Sequence, residues 1–324
     1  MHRVSIIAGD TTYLRKGALV KKFKVGIALG GGGARGLAHI GILEVIGQSG
    51  LAIDAIAGTS MGAVVGALYA AASDARAVEK NLAGFIGSKA VGEAAAFFSK
   101  KASTMPFGKI LSAAKQFFIM NRAVIGPSII SAEQIEAIFS ELHLPGTFDD
   151  LKISFCSVAT DMGKGDEKIF SSGNLKEAVL ASSSIPGIFP PVKIDGSYYL
   201  DGGTVNSVPV SPLKPCCDFV IACDARPVRK MISSFERGLA ILSRADAISS
   251  YKLSDLQIEQ ADFIIKPDTS NIHWADFKKM DYCIEEGRDA AKKCLKELQK
   301  AILWAKINSF PRRLFSKNVE FPKE

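Results

Sequence analysis

Three observations predict an α/β fold with a central, mostly parallel sheet, helices on both of its faces and a helical insertion. A short apolar run at 25–29 leads straight into Gly30-Gly31-Gly32-Gly33-Ala34-Arg35-Gly36 and then into helical spacing. A second apolar run ends in Gly58-Thr59-Ser60-Met61-Gly62, again followed by helix-forming residues. Further short apolar runs at 219–223 and 263–266 supply later strands. Strand, loop, helix, strand, turn, helix is the order of a parallel sheet with helical crossovers.

The elements follow in chain order. Residues 1–23 are a basic lead-in containing Arg15, Lys16, Lys21 and Lys22. Residues 25–29 form a buried strand. Leu37, Ile40, Leu43 and Ile46 repeat at helical spacing, which predicts a helix over 34–48. Residues 52–57 read as a second buried strand and 61–72 as a helix of small residues that packs closely on a sheet. The stretch 73–130 reads as a helical insertion rich in Ala, Lys and aromatics, with Phe85, Phe97, Phe98, Phe107, Phe117, Phe118 and Met120. It supplies either ordinary core helices or a cap over a hydrocarbon pocket. Ser131 and Gln134 have the spacing of a capping box. Residues 153–160 form a strand and 174–182 a short helix. Residues 192–194 and 198–200 flank Asp195-Gly196, a hairpin signal. The pattern over 276–306 is helical, and Pro311 is expected to stop it. No boundary splits the chain: 24–225 holds the main α/β region, 226–306 completes the same α/β domain, and 307–324 is a basic tail.

Composition narrows the class. The chain has 324 residues, of which 48% are hydrophobic and 23% charged, with a net charge of +7. That is ordinary for a globular protein with a full core. The six cysteines include no Cys-x-x-Cys pair, which fits reduced thiols. Residues 1–8 hold an apolar run too short for a secretory leader, and 57–72 falls short of the ~20 residues of a membrane span. A cytoplasmic protein is expected. From residue 291 onward there are nine Lys/Arg and three Glu. Interleaved with Trp304, Phe310, Leu314 and Phe315, this tail reads either as a solvated helix face with a ragged end or as a peripheral contact with an anionic membrane. No nucleic-acid motif accompanies the charge.

The chemistry rests on three short motifs. Ser60 lies between Gly58 and Gly62 at a strand-to-helix elbow, which lifts a hydroxyl into a cleft. A following helix points its positive end at that site. The unobstructed amides of Gly31, Gly32 and Gly33 suit a developing oxyanion. Gly31-x-Gly33-x-x-Gly36 also fits a dinucleotide fingerprint, but the second strand then ends in Ser60 rather than in an acid for a ribose. No Gly-Lys-[Ser/Thr] is present, which excludes a Walker-type loop. The hydroxyl needs a proton acceptor. Histidines stand only at 2, 39, 143 and 273. His39 reads as a packed helix residue, and a Ser-Asp-His order leaves only His273, in a polar segment. The alternative is an acid acting directly. Asp201-Gly202-Gly203 closes the hairpin, and apolar walls there would raise the carboxyl's proton affinity and make it a better base.

These motifs, in this order, resemble the patatin-like phospholipase family, its bacterial single-domain members most of all. The segment Ala181-Ser182-Ser183-Ser184-Ile185-Pro186-Gly187-Ile188-Phe189-Pro190 is also similar to the stretch that precedes the family's aspartate. The resemblance covers about residues 24–210. It implies a three-layer α/β fold and a Ser–Asp dyad in place of a triad. Ser60 is then the nucleophile, Asp201 the general base and acid, and Gly31 to Gly33 the oxyanion hole. Arg35 supports the loop or meets a phosphate head group. The implied substrate is a lipid or phospholipid acyl ester, cleaved by a phospholipase A or lysophospholipase type of hydrolase, with no metal or other cofactor. A low-turnover acyl-binding or membrane-surface regulatory protein on the same fold is the competing reading.

Overall fold

A computed structural model describes residues 21–91, 126, 128–227 and 238–313. Among the described residues, eight strands form one sheet. These are β1 (Val25–Leu29), β2 (Ala55–Thr59), β3 (Ser154–Asp161), β4 (Asp166–Phe170), β5 (Val192–Ile194), β6 (Ser197–Asp201), β7 (Phe219–Cys223) and β8 (Phe263–Ile265). Their order is β5-β6-β3-β2-β1-β7-β8, with β4 paired to β3. The pairs β3-β2, β2-β1, β1-β7 and β7-β8 are parallel, while β3-β4, β3-β6 and β5-β6 are antiparallel. The expected mostly parallel α/β sheet is the architecture observed.

The parallel strands alternate large and small side chains, and this divides the interior. Val25, Ile27 and Leu29 of β1, Ile56 of β2, and Phe219 and Ile221 of β7 face the larger core. That core is closed by α1 (Ala38–Gln48), α2 (Met61–Ala72), α3 (Ala75–Gly87) and α7 (Met280–Arg313). Ala28, Ala55, Ala57 and Ala222 face the other side. There the turn segment holding Val208, Val210, Leu213 and Cys216 lies close, joined by Ile258 at the end of α6 (Gly238–Ile258). Small residues on that face let irregular backbone approach the sheet. The remaining helices are α4 (Ala132–Ser140) and α5 (Leu175–Ser182).

Several elements differ from the sequence reading. The helix expected over 34–48 starts as a 3₁₀ turn, Gly33–Leu37, before α1 begins at Ala38. The second strand is Ala55–Thr59 rather than 52–57, which brings it up against Ser60. Two elements carried no readable pattern. β4 is a charged strand that is only partly buried, and α6 leaves Leu242, Ile248 and Leu256 exposed, so it has no single apolar stripe. The long last helix begins at Met280 and passes Pro311 to end at Arg313. Pro311 removes one i→i−4 donor, to the Ile307 carbonyl, and only two residues of helix follow it, so the loss ends the helix two residues later rather than at the proline. Of the insertion at 73–130, α3 is helical as expected, but residues 92–125 lie outside the described residues, as do 1–20 and 314–324 of the two basic ends. Among the described residues no helix is long and apolar enough to cross a membrane.

The capping box expected at Ser131 is present, and a second cap that the sequence reading did not name stands at Asn174. Ser131 accepts from the Gln134 amide while the Gln134 side chain accepts from the Ser131 amide. Asn174 caps α5 through the Glu177 amide at 3.1 Å.

α1 and α7 pack backbone to backbone. A Cβ on Gly41 would strike the Ile284 carbonyl, and one on Gly287 would strike the Ala38 carbonyl. Arg288 ties the pair further, with its Nε 2.6 Å from Glu44. Gly287→Ala should therefore destabilise the fold by about 1–3 kcal/mol through overpacking, outweighing the ~1 kcal/mol that Ala gains over Gly in a helix. Urea unfolding checks this; a midpoint equal to or above that of the parent would contradict the close contact.

Candidate active site

The backbone around Ser60 fixes its position. β2 ends at Thr59 and α2 begins at Met61, so Ser60 alone makes the turn, with φ 56° and ψ −125°. This is a strained conformation for a residue with a side chain, costing on the order of 1–3 kcal/mol. Surrounding contacts hold it. The Ser60 amide donates to Ser182 Oγ at 2.9 Å, and the Ser182 hydroxyl donates to the Val158 carbonyl at 2.6 Å. The Ser60 carbonyl accepts from the Ala63 and Val64 amides, which starts α2. Thr59 Oγ1 donates to the Asn206 carbonyl at 2.8 Å. Gly62 is obligatory, because a Cβ there would run into the Leu29 carbonyl.

Sheet register brings Asp201 to the same place. Thr59 lies opposite Val158 on β3, and Asp201 lies opposite Ala159 on the same strand. The last residue of β6 thus meets the elbow after β2. The Asp201 amide donates to the Ser184 carbonyl at 2.9 Å, and its own carbonyl accepts from Thr160 Oγ1 at 2.9 Å. Its Oδ1 accepts from the Gly203 amide at 2.8 Å. Its Oδ2 accepts from the Ser60 hydroxyl at 2.6 Å. Both side chains are buried. Burial pushes the Asp201 carboxyl up to about 6, although the Ser60 and Gly203 hydrogen bonds pull the other way. Gly202 is needed for the approach, since a Cβ there would strike the Val158 carbonyl.

The glycine loop leaves β1 beside this pair. A Cβ on Gly31 would stand 3.3 Å from Ser60 Cβ. The Gly30 amide donates to the Cys223 carbonyl at 3.0 Å and the Gly31 amide to the Ser207 carbonyl at 2.9 Å. Gly31 is thereby removed from the three amides expected to face an oxyanion. The amides of Gly32 and Gly33 meet no acceptor among the described residues, and Gly33 lines the same cavity as Ser60. Gly33 has φ 57°, and a Cβ there would run into the Trp274 carbonyl. That carbonyl accepts from the Ala34 amide at 2.7 Å. Arg35 Nε donates to the Ile272 carbonyl at 2.8 Å, so this side chain ties the loop to the segment before α7.

His39 completes the loop's supports. It is fully buried, and its Nε2 lies 2.8 Å from the Gly30 carbonyl. Burial lowers its proton affinity to a value of about 4, so the ring is neutral. Nε2 must then carry the hydrogen and donate it, while Nδ1 has no partner among the described residues. The sequence reading placed His39 in the helix packing but gave it no task. Its spacing nine residues after Gly30, one helical turn past the loop, was the available signal. Ser182 and Ser184 were visible only as part of the segment before Asp201. Their separate tasks, holding the Ser60 amide and the Asp201 amide, emerge only in three dimensions. His273 accepts from the Ala275 amide and is exposed.

The cavity at Ser60 presents an almost wholly apolar surface. Phe85 of α3, Ile138 and Phe139 of α4, Phe189, Trp274 and Phe277 line it. Among the phenylalanines of the expected insertion, Phe85 reaches this wall; Phe97, Phe98, Phe107, Phe117 and Phe118 lie outside the described residues. The other aromatic lining residues come from elements that the sequence reading had not connected with a pocket.

Residues 27–214 match the family model described as patatin-like phospholipase. The chain belongs to the patatin-like phospholipase family. An uncharacterized NTE family protein of Mycobacterium bovis is 30% identical over 310 residues, covering 86% of this chain and 48% of the relative. A lysophospholipase of Pyricularia oryzae is 33% identical over 201 residues, covering 62% of this chain and 12% of that protein. The crystal structure of VipD from Legionella pneumophila is similar at a TM-score of 0.44 and 14% identity, covering 86% of this chain and 68% of that one. The chain spans about half the length of the mycobacterial relative it matches. Within this patatin-like chain the family match contains Ser60, Asp201 and the glycine loop together.

The raised carboxyl has a stability consequence. Asp201 binds its proton more tightly folded than unfolded, so the folded state takes up a proton between the two values. Stability is then greatest below the ordinary carboxyl value near 4 and falls as pH rises through about 6. Asp201→Asn removes this burden and can keep both hydrogen bonds, with the Ser60 hydroxyl turned to accept. It should be more stable than the parent at pH 8 by about 2–3 kcal/mol, since each tenfold change in proton affinity is worth about 1.4 kcal/mol. The gain should vanish below pH 4. Denaturant midpoints across pH measure it, and a gain that does not change with pH would refute the assigned titration.

Proposed function

We propose that this chain hydrolyses acyl esters of lipids, in the manner of a phospholipase A or lysophospholipase, through Ser60 and Asp201. The hydrogen bond of 2.6 Å between the Ser60 hydroxyl and the buried Asp201 carboxylate carries the reading. In the first half-reaction Ser60 Oγ attacks the acyl carbon and its proton passes to Asp201 Oδ2. The negative charge that develops on the carbonyl oxygen is met by the Gly32 and Gly33 amides and by the positive end of α2. Asp201 returns the proton to the departing alcohol, which leaves an acyl ester on Ser60. Water, deprotonated by Asp201, then releases the fatty acid and restores the serine.

The surroundings support each step. A carboxylate near its ordinary proton affinity would be a weak base, and burial strengthens it. The apolar cavity suits an acyl chain and offers little to the phosphates of a dinucleotide. Arg35, held by the Ile272 carbonyl, supports the loop rather than a head group. Gly58 and Gly62 permit the elbow. The family assignment and the lysophospholipase relative point to the same class of reaction.

Ser60→Ala and Asp201→Asn should each lower kcat/KM for a p-nitrophenyl acyl ester by at least about 10³-fold, on the scale of dismantled serine nucleophile–base systems. Circular dichroism should stay that of the parent. A fluorophosphonate probe should label Ser60 and no other serine. In the parent, kcat/KM should rise with pH through about 6 and then level, as Asp201 loses its proton in the free enzyme. Retained hydrolysis in either variant would defeat the dyad. An unlabelled, well-folded protein that still binds fatty acid would favour acyl binding without turnover.

His39→Leu should remove the donor to the Gly30 carbonyl and lower kcat by about 10- to 100-fold, less than the 10²–10³-fold expected for loss of an oxyanion donor itself. His39→Gln, which can still donate, should recover part of the loss. Equal kcat in all three proteins would show that the loop does not depend on this bond.

A further inference from the structure

α7 carries two apolar arcs that face different ways. Up to Ile302 most of its apolar residues are core: Ile284, Ala291, Leu298 and Ile302 are buried, while Tyr282 near its start is exposed. Beyond that point the apolar residues turn outward. Leu303 is 57% exposed, Trp304 65%, Ile307 56% and Phe310 42%. At about 100° per residue, Leu303, Ile307 and Phe310 fall within ~60° of one another and Trp304 ~60° beyond. Leu298 and Ile302 lie ~100–140° away on the opposite side of Leu303. The stripe is therefore not the fringe of the core face.

On the helix itself the charges bordering this stripe are basic except for Glu297, two turns before Trp304. Lys296 and Lys300 precede the stripe on the same side by two turns and one turn, and Lys306 borders its other edge. From Leu298 to Arg313 the helix contains no Asp or Glu, and it ends in Arg312-Arg313. Aliphatic and aromatic groups bordered by long cationic side chains suit the boundary between lipid head groups and acyl chains. There the rings and Leu303 can enter the apolar layer while the ammonium groups reach up to phosphates. We infer that the C-terminal half of α7 is a docking surface for an anionic lipid bilayer, with Leu303, Trp304, Ile307 and Phe310 entering it and Lys296, Lys300 and Lys306 meeting its head groups.

The stripe is remote from the cavity. α7 starts just after Trp274 and Phe277, which line the cavity, whereas the stripe lies more than twenty residues further on. At 1.5 Å per residue that is up to ~45 Å along the helix. Docking here tethers the protein to a surface without taking part in chemistry at Ser60, and the inference stands apart from the proposed hydrolysis.

The full chain is floated with vesicles of phosphatidylcholine alone and of phosphatidylcholine mixed with phosphatidylglycerol. The parent should bind the mixed vesicles, and added salt should weaken the binding. The exposed double variant Trp304→Ser/Ile307→Ser should bind them at least tenfold less. Lys300→Glu/Lys306→Glu should lose at least tenfold on the mixed vesicles, at roughly fivefold for each basic charge removed and more for reversal, and little on the neutral ones. Circular dichroism and probe labelling of Ser60 should match the parent in both variants. Failure of the parent to bind mixed vesicles, or unchanged binding in both variants, overturns the inference. A concentration-dependent dimer in the parent that Trp304→Ser/Ile307→Ser abolishes, without vesicle binding, would assign the stripe to a second copy of the chain instead.

Discussion

A carboxylate held out of water against a single hydroxyl is the interaction on which the rest of this structure turns. Desolvation makes Asp201 hold its proton more tightly, and only two hydrogen bonds, from Ser60 and the Gly203 amide, offset that cost. A burden of this kind persists only if the neighbouring backbone cannot relax away from it. β3 supplies that rigidity. It pairs with β2 on the way to Ser60 and with β6 at Asp201, and its Val158 carbonyl also receives the Ser182 hydroxyl. One strand thus sets the separation of the Ser60 hydroxyl and the Asp201 carboxyl. The segment before β6 holds them from the far side, Ser182 on the Ser60 amide and Ser184 on the Asp201 amide.

The second constraint is close backbone approach. Gly62 and Gly202 each stand where a side chain would strike a carbonyl, and Gly33 stands against Trp274. These contacts draw the glycine loop, the elbow and the tip of β6 into one small volume. Strain at Ser60 follows, because the serine cannot itself be glycine and still supply a hydroxyl. Hydrogen bonds spread over β1, β7 and the segment after β6 hold the loop in turn: Gly30 to Cys223, Gly31 to Ser207 and His39 back to Gly30. The loop's free amides are those left over after the anchors have been made.

Separation of large and small residues across the sheet explains how so irregular a site rests on a regular base. Ile27, Leu29 and Ile221 fill the helical side, while Ala28, Ala57 and Ala222 admit the turn segment that carries Ser207 and Val208. A larger residue on the alanine face would push that segment, and with it the acceptor of the Gly31 amide, away from the loop. α7 applies the same economy elsewhere. Gly287 brings it against α1 near the site, and its distal end is freed from the core to present a different surface.

Local patterns were enough to determine the parallel α/β class, the strands at 25–29 and 219–223, the capping box at Ser131 and the three short motifs. Each depends on neighbours within a few residues: apolar runs, periodicity, or glycines around a turn. The charged strand β4 and the mixed helix α6 were not legible, because their burial is set by partners distant in sequence. Nor could the sequence tell which of the loop's amides remain free. Gly31 loses its N–H to Ser207, a residue far along the chain. Long-range register alone decided that Asp201 meets Ser60, since only pairing with β3 brings residues 141 positions apart within 2.6 Å. Tertiary packing likewise turned one basic, aromatic tail into a helix with two opposed apolar faces, because burial of one arc against the core is what leaves the other outside.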